Sequence, residues 1–194
     1  MTISEFSTPF KYKTWRSSPM KWVAGHALFH WPVFLLALIG AIGNAALATV
    51  PAIEFGRVFN NLTSGNPSTE LFLRSAALTG ITQTIRGLMQ FMRNFGFEVT
   101  AQKIERDVRE EFYISLLGKS MTFHSLQSIG DLMAKATNDI REVNYIFSPG
   151  INMVFGSLNF LFIPLTIGAS IHPALLITPI LFIITYTLSI MHFL

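Results

Sequence analysis

LLALIGAIGNAALATV, residues 35–50, is the stretch that decides the fold, because it contains no charged side chain. It lies inside a longer apolar run, about 28–58, and roughly 20 apolar residues suffice for a helix to cross the hydrocarbon core of a bilayer. Ala37, Ala41 and Ala45 recur every four residues, so one face of this helix carries small side chains that let another helix approach closely. The sequence therefore predicts a membrane span that packs through its alanine face.

The composition of the whole chain agrees with a membrane protein. Of its 194 residues, 51% are hydrophobic and 13% are charged, whereas typical soluble domains are about 25% charged. No Asp, Glu, Lys or Arg follows Glu142, a distribution that argues against a nucleic-acid-binding surface. The chain has no cysteine, which excludes disulfides and thiolate chemistry.

Three further apolar segments complete the predicted topology. Spans are expected at about 71–95, 143–170 and 174–194, and the charged segment at about 96–142 is too polar for lipid. We therefore expect an all-α membrane protein with four transmembrane helices and a long cytoplasmic helical hairpin between helices two and three. It would be a multi-pass protein of the cell membrane.

The N-terminal segment, 1–25, is basic and aromatic. Lys11, Lys13, Arg16 and Lys21 precede the first span, with tryptophans nearby, and basic residues favour the cytoplasmic side. We expect a cytoplasmic N-terminus with an interfacial elbow helix, the alternative being a disordered tail.

The second span has two different faces. An apolar face steps by three and four residues through Leu78, Ile81, Ile85, Leu88, Met92, Phe95 and Val99. A polar face steps in the same way through Gln83, Arg86, Gln90 and Arg93. Because an arginine at membrane depth usually faces a cavity or a partner, the hypothesis is that these four residues line a substrate cavity. Arg86 would attract an anionic group, such as a lipid phosphate. The alternative is that Arg86 pairs with helix backbones and Arg93 extends to the interface.

Other polar residues receive structural interpretations. Glu54 and Arg57 are read as interfacial charges, with a gate ion pair as the alternative. The histidines are not spaced as metal ligands are, and no catalytic residue or metal site is expected. Proline is expected to bend the first span at Pro51 and to kink a later span at Pro149-Gly150. Pro164 and Pro179 either kink their spans or are tolerated.

The tip of the hairpin carries the most specific pattern. Residues 109–117 read REEFYISLL, 121–124 read MTFH, and 129–140 read IGDLMAKATNDI. Residues 120–130 are turn-like, and Ser128-x-x-Asp131 fits a capping box that begins the next helix. Capping and stalk contacts explain Asp131 and Asp139 better than an acid pair.

These motifs resemble the type-1 transmembrane domain of ABC exporters. Gly130, Asp131, Leu132, Asn138 and Asp139 match the family's tip pattern, although Lys135 replaces the usual Arg and Ile140 replaces Val. The resemblance implies a coupling helix at about 123–132 that docks on a nucleotide-binding domain. The coupling residues would be Phe123, His124, Ser125, Leu126, Gln127, Ser128, Ile129, Gly130 and Asp131.

The resemblance also implies partners and cofactors. These would be the bilayer, a nucleotide-binding domain in cis or in trans, and a second transmembrane domain in a homodimer or heterodimer. ATP and magnesium would bind the parent's nucleotide-binding domain, because this chain has no GxxxxGK[ST] motif and is not expected to be an enzyme. The last apolar run has no polar flank, so the chain is expected to be an N-terminal fragment ending within helix four.

Two other functions fit the four spans. One is an ATP-independent four-helix channel or transport scaffold, and the other is a membrane docking protein. A channel needs only short loops, so the long hairpin at 96–142 favours the exporter or the docking protein.

Overall fold

The computed structural model describes residues 17–65 and 68–193, and within these ranges the regular elements are helices. Most of the predicted N-terminal segment, residues 1–16, lies outside the described residues. The α-helices are α1 (Pro19–Phe29), α2 (Trp31–Leu47), α3 (Val50–Thr63), α4 (Thr69–Leu117), α5 (Met121–Leu126), α6 (Ile129–Ala134), α7 (Ile140–Tyr145), α8 (Asn152–Ile171) and α9 (Ile177–Phe193). The described part of the chain is thus all-α, as predicted.

The first predicted span is divided among three helices. α1 continues past residue 25 to Phe29, and His30 separates it from α2. Between α2 and α3, the backbone N–H of Thr49 bonds the carbonyl of Ala46, and Pro51 lies in the first turn of α3. The predicted effect of Pro51 is confirmed, because proline is tolerated in a first turn but not inside a helix.

Long apolar helices remain after these interruptions. In the described residues, the stretch Trp31–Thr63 is long and apolar enough to cross a membrane, and Pro173–Ser189 is a shorter apolar stretch. α4 is one uninterrupted helix of 49 residues. At 1.5 Å per residue it extends for about 73 Å, well beyond the thickness of a bilayer core.

The chain divides into two compact units, one with residues 1–40 and 90–154 and the other with 41–89 and 155–194. The core of the first unit is an apolar cluster on α4 and the helices that follow α6: Ala101, Ile104, Val108, Ile140 and Phe147. Trp22 and Val23 of α1 pack on this cluster. In the second unit, Gly43 of α2 lies against the side chain of Met89.

The segment after the hairpin tip is irregular. π-helical turns occupy Lys135–Asp139 and Ile146–Ile151, on either side of α7. Ser148 leaves helical geometry, with φ −132° and ψ 106°, immediately before Pro149. The predicted kink at Pro149-Gly150 is confirmed, whereas α8 and α9 are not interrupted at Pro164 and Pro179.

Candidate transport and coupling sites

Arg86 is held by side chains of two helices in the second unit. Its Nε donates to Asn44 Oδ1 on α2 at 3.1 Å, and its Nη1 donates to Gln83 Oε1 at 3.1 Å. Asn44 is buried in the otherwise apolar α2, and the Nε2 of Gln83 is a buried donor with no hydrogen-bond acceptor. The alternative that Arg86 pairs with helix backbones is not what these contacts show. The arrangement presents several donors together, which suits a ligand rich in oxygen acceptors.

Gln90 and Arg93 belong to the first unit and are half-buried. Arg93 Nε donates to Asn94 Oδ1 at 3.4 Å, and Asn152 Nδ2 donates to the same oxygen at 3.4 Å. Sequence reasoning missed Asn44, Asn94 and Asn152. Their signal was present, because an asparagine inside an apolar run is costly to bury without a partner.

The apolar face of α4 is exposed while its polar face is half-buried. Ile81 and Leu88 expose 59% and 61% of their surface, whereas Gln83 and Arg86 are half-buried. In a water-soluble helix the opposite arrangement is expected. This inversion fits a helix whose apolar side faces lipid and whose polar side faces protein.

The hairpin tip consists of α5 and α6. Ser120 caps α5, because its Oγ accepts a hydrogen bond from the backbone N–H of Phe123. Gln127 and Ser128 are extended and connect α5 to α6, with Ser128 at the N-cap of α6. The predicted start of α6 is confirmed. The capping box is wrong in its chemistry, since the Ser128 side chain makes no cap hydrogen bond and Asp131 instead pairs with Lys135 at 2.8 Å.

The predicted coupling residues differ in their surroundings. Phe123 is half-buried under the ammonium of Lys119, 5.6 Å from the ring centre, and His124 Nε2 lies 3.2 Å from the carbonyl oxygen of Leu116. By contrast, Leu126 and Ile129 expose 77% and 80% of their surface. Ser125, Ser128, Gly130 and Asp131 are also exposed, and Gln127 is half-buried. The tip thus presents apolar side chains that the described residues do not cover.

The stalk, which we define as residues 96–117 of α4, is joined to the returning helices by polar contacts. Asn144 Nδ2 donates to Glu105 Oε2 at 2.7 Å, and Ser148 Oγ donates to Glu98 Oε2 at 2.7 Å. Arg109 contacts both Glu105 and the carbonyl oxygen of Ala136. These contacts fix the tip on a rigid pair of supports.

The stalk is also joined to α1, a contact that sequence reasoning missed. His26 Nε2 lies 3.1 Å from Glu111 Oε2, and His30 Nε2 lies 2.5 Å from Asp107 Oδ2. The paired spacing was the available signal, because each histidine and each acid recurs after four residues, one helical turn. The residues are far apart in sequence, so their pairing could not be deduced from it.

Glu54 and Arg57 form an ion pair in the second unit, with 2.5 Å between Nη1 and Oε1. Glu54 is only 5% exposed, and its other oxygen accepts a hydrogen bond from Ser75 Oγ at 2.8 Å. The reading of both residues as interfacial charges is therefore wrong for Glu54. Burial is sustainable because both carboxylate oxygens have donors.

Gly118-Lys119-Ser120 is the segment most similar to a phosphate-binding loop, but it does not fit phosphate. The backbone N–H groups of Gly118 and Lys119 bond the carbonyls of Ile114 and Leu116, which closes the end of α4. Ser120 caps α5, and Lys119 lies over Phe123. A phosphate loop needs free N–H groups at a helix N-terminus, so no nucleotide chemistry is derived from this segment.

The described helices, with lipid-compatible exposed faces and a polar stripe on α4, define an all-helical integral membrane protein with a transport-type interior. The chain matches the ABC transporter transmembrane region over residues 34–192, and it belongs to that family. The resemblance inferred from the hairpin motifs is thereby confirmed.

Two curated relatives are similar to part of the chain. The ATP-dependent lipid A-core flippase 1 of Colwellia psychrerythraea is 26% identical over 111 residues, which cover 57% of this chain and 18% of the relative. The ATP-dependent lipid A-core flippase of Pseudoalteromonas translucida is 25% identical over 123 residues, which cover 63% of this chain and 21% of the relative. The matched region thus spans about a fifth of each relative.

Proposed function

We propose that this chain is the membrane-spanning part of an ATP-driven exporter, where it contributes to the substrate path and receives movement from a nucleotide-binding domain. The observation that carries the proposal is α4. One continuous helix, Thr69–Leu117, bears Arg86 on its half-buried polar face and leads to an uncovered apolar tip at its other end. A rigid element of this kind can convert a domain movement outside the membrane into a movement of the spans.

The proposed topology follows the family. The spans lie at about 28–58, 71–95, 143–170 and 174–194, the N-terminus is cytoplasmic, and the hairpin at 96–142 extends into the cytoplasm. The elbow helix of the N-terminal segment lies at the membrane interface. The outward side chains of α1 support this placement, since Met20, Leu28 and Phe29 are exposed and apolar.

The proposed partners are a nucleotide-binding domain, in cis or in trans, and a second transmembrane domain. The nucleotide-binding domain would hold ATP and magnesium and would supply the hydrolysis. The tip would contact it through α5, α6 and the connecting residues Gln127 and Ser128. Exposed Leu126 and Ile129 support this assignment, because buried apolar side chains contribute most of the energy at such interfaces.

The proposed substrate is an anionic amphiphile with phosphate groups. The relatives are named as lipid A-core flippases, and Arg86 with Gln83 and Asn44 supplies donors at a half-buried position. A guanidinium binds phosphate oxygens through parallel hydrogen bonds. Gln90 and Arg93 would extend the substrate path along the same helix.

Transport by the complete transporter in proteoliposomes tests the role of Arg86. Arg86→Ala should lower the transport of a phosphate-bearing lipid about tenfold or more, the effect of removing a charged hydrogen bond. Arg86→Lys should retain part of the activity. Arg74→Ala, which removes an exposed arginine of the same helix, is the matched control. Full transport by Arg86→Ala would show that Arg86 is structural.

A further inference from the structure

Two buried histidine–carboxylate pairs join α1 to the stalk, and the proposed transport path does not use them. In the pair His26–Glu111, Trp22 Nε1 also donates to Glu111 Oε2 at 3.2 Å. In the pair His30–Asp107, the two side chains are buried together. His26 is 0% exposed. Four ionisable groups held away from water at one helix contact require a specific explanation.

The two pairs are successive rungs of one ladder. His26 and His30 are separated by one turn of α1, and Asp107 and Glu111 by one turn of α4. Side chains four residues apart lie on the same helix face. Both rungs therefore form or break together when α1 docks on the stalk or leaves it.

The charged surroundings of the ladder come from α4. The charged groups described as meeting the imidazoles are Glu111 and Asp107. Arg106 lies on the far oxygen of Asp107, with its Nε at 3.0 Å and its Nη2 at 2.7 Å from Oδ1. A proton taken up by either histidine would thus face a carboxylate across a hydrogen bond, which compensates a buried charge.

Imidazole is the side chain that ordinarily changes charge between pH 5 and 8. When neutral it can donate one ordinary hydrogen bond to a carboxylate, and when protonated it forms a stronger, charge-assisted one. We propose that the ladder His26–Glu111 and His30–Asp107 is an acid-strengthened latch that holds α1 on the stalk. The latch makes the position of the N-terminal helix respond to cytoplasmic pH.

The sign of the response follows from the chemistry. The added stabilisation of docked α1 is present where the histidines carry a proton, and it is lost as the pH rises and they become neutral. Near pH 4 and below, carboxylates begin to take up protons, so the latch weakens again. Docking should therefore be tightest at mildly acidic pH.

Pulsed electron–electron distance measurements on the full chain in lipid nanodiscs test the latch. The chain has no native cysteine, so Met20→Cys and Tyr113→Cys give one label on α1 and one on the stalk. Both positions are exposed, at 77% and 61%. The ratio of docked to undocked molecules should rise about five- to tenfold per pair from pH 8 to pH 6, the difference between a neutral and a charge-assisted hydrogen bond.

Two further samples make the result decisive. Glutamine keeps an N–H donor but does not titrate, so His26→Gln combined with His30→Gln should remove the pH response. Labels at Tyr113→Cys and Leu117→Cys, both on α4, should report a constant distance in each sample and so verify that the stalk is intact. Equal distance distributions at pH 8 and pH 6 in the chain with both native histidines would overturn the proposal, as would an unchanged response in the glutamine variant.

Discussion

Gly96 of α4 packs directly against Ala37 of α2. A methyl group at position 96 would lie 2.8 Å from Ala37 Cβ, 3.0 Å from its Cα and 3.1 Å from its backbone nitrogen. Both residues are buried. The two helices approach this closely because neither residue carries a larger side chain, which is how small residues serve helix packing in membranes.

Gly96→Ala should therefore destabilise the chain by about 1–3 kcal/mol, the usual cost of overpacking. Thermal unfolding in detergent micelles measures the effect. The matched control is Gly80→Ala on the same helix, where an added methyl group meets no atom within 4 Å and alanine favours helix by about 1 kcal/mol. Equal loss of stability in both variants would contradict the packing explanation.

Gly150 is needed at the kink that follows Ser148. A methyl group there would lie 2.9 Å from the carbonyl oxygen of Tyr145, a backbone atom that cannot move alone. Gly150→Ala should cost about 1–3 kcal/mol of unfolding free energy, measured in the same way. Gly168→Ala, where the nearest atom is Leu175 Cβ at an ordinary 3.8 Å, should be neutral or stabilising. An equally stable Gly150→Ala variant would show that the kink adapts.

Glu98 should make the contact between the stalk and the kink sensitive to acid. The hydrogen bond from Ser148, followed by that from Gln102, lowers the pKa of Glu98 from its ordinary value. A lowered carboxyl pKa gives stability that is present above the unfolded value, about 4.3, and is lost as the pH falls through the folded value. Because Glu98 is exposed, the contribution should stay below about 1 kcal/mol.

Ser148→Ala is the variant that checks this expectation. Its unfolding free energy should fall less than that of the unchanged chain when the pH is lowered from 6 to 3.5. Thr137→Ala, which removes a hydroxyl bonded to the carbonyl of Met133, controls for the loss of a hydroxyl elsewhere in the returning helix. Parallel pH curves for Ser148→Ala and the unchanged chain would remove Glu98 from the explanation.

The exposed apolar residues of the tip should be required for coupling. Leu126→Asp or Ile129→Asp in the complete transporter should lower ATP-dependent transport about tenfold or more, because a charge in a docking interface is not compensated. Folding should be unaffected, since both side chains are exposed. Tyr113→Asp, exposed on the stalk, is the control. Transport at the control's level would place the docking surface elsewhere.

Sequence patterns anticipated the features that depend on local physics. Helix α4 follows from an unbroken stretch ending at Gly118, and the kink follows from Pro149-Gly150. The burial of Ala37, Ala41 and Ala45 follows from their spacing. Each of these depends on neighbours within a few turns, which a sequence displays directly.

The remaining features depend on contacts between distant residues. Glu54 is buried because Ser75 and Arg57 supply donors, and the asparagine contact of Arg86 joins two helices. Ser128 occupies a cap position without bonding, although its spacing to Asp131 is that of a capping box. A pattern gives the positions that side chains could share, whereas the competing partners decide which bond forms.

The ladder between α1 and α4 also excludes a neighbouring register. A shift of α1 by one turn, about 5.4 Å, would keep one rung by placing His26 opposite Asp107. The same shift would bring His30 opposite Lys103, where two cationic groups would repel once the histidine is protonated. Glu111 would lose its imidazole as well. The acid that tightens the correct alignment thus penalises this misalignment, so the ladder sets where the N-terminal helix sits as well as how firmly it is held.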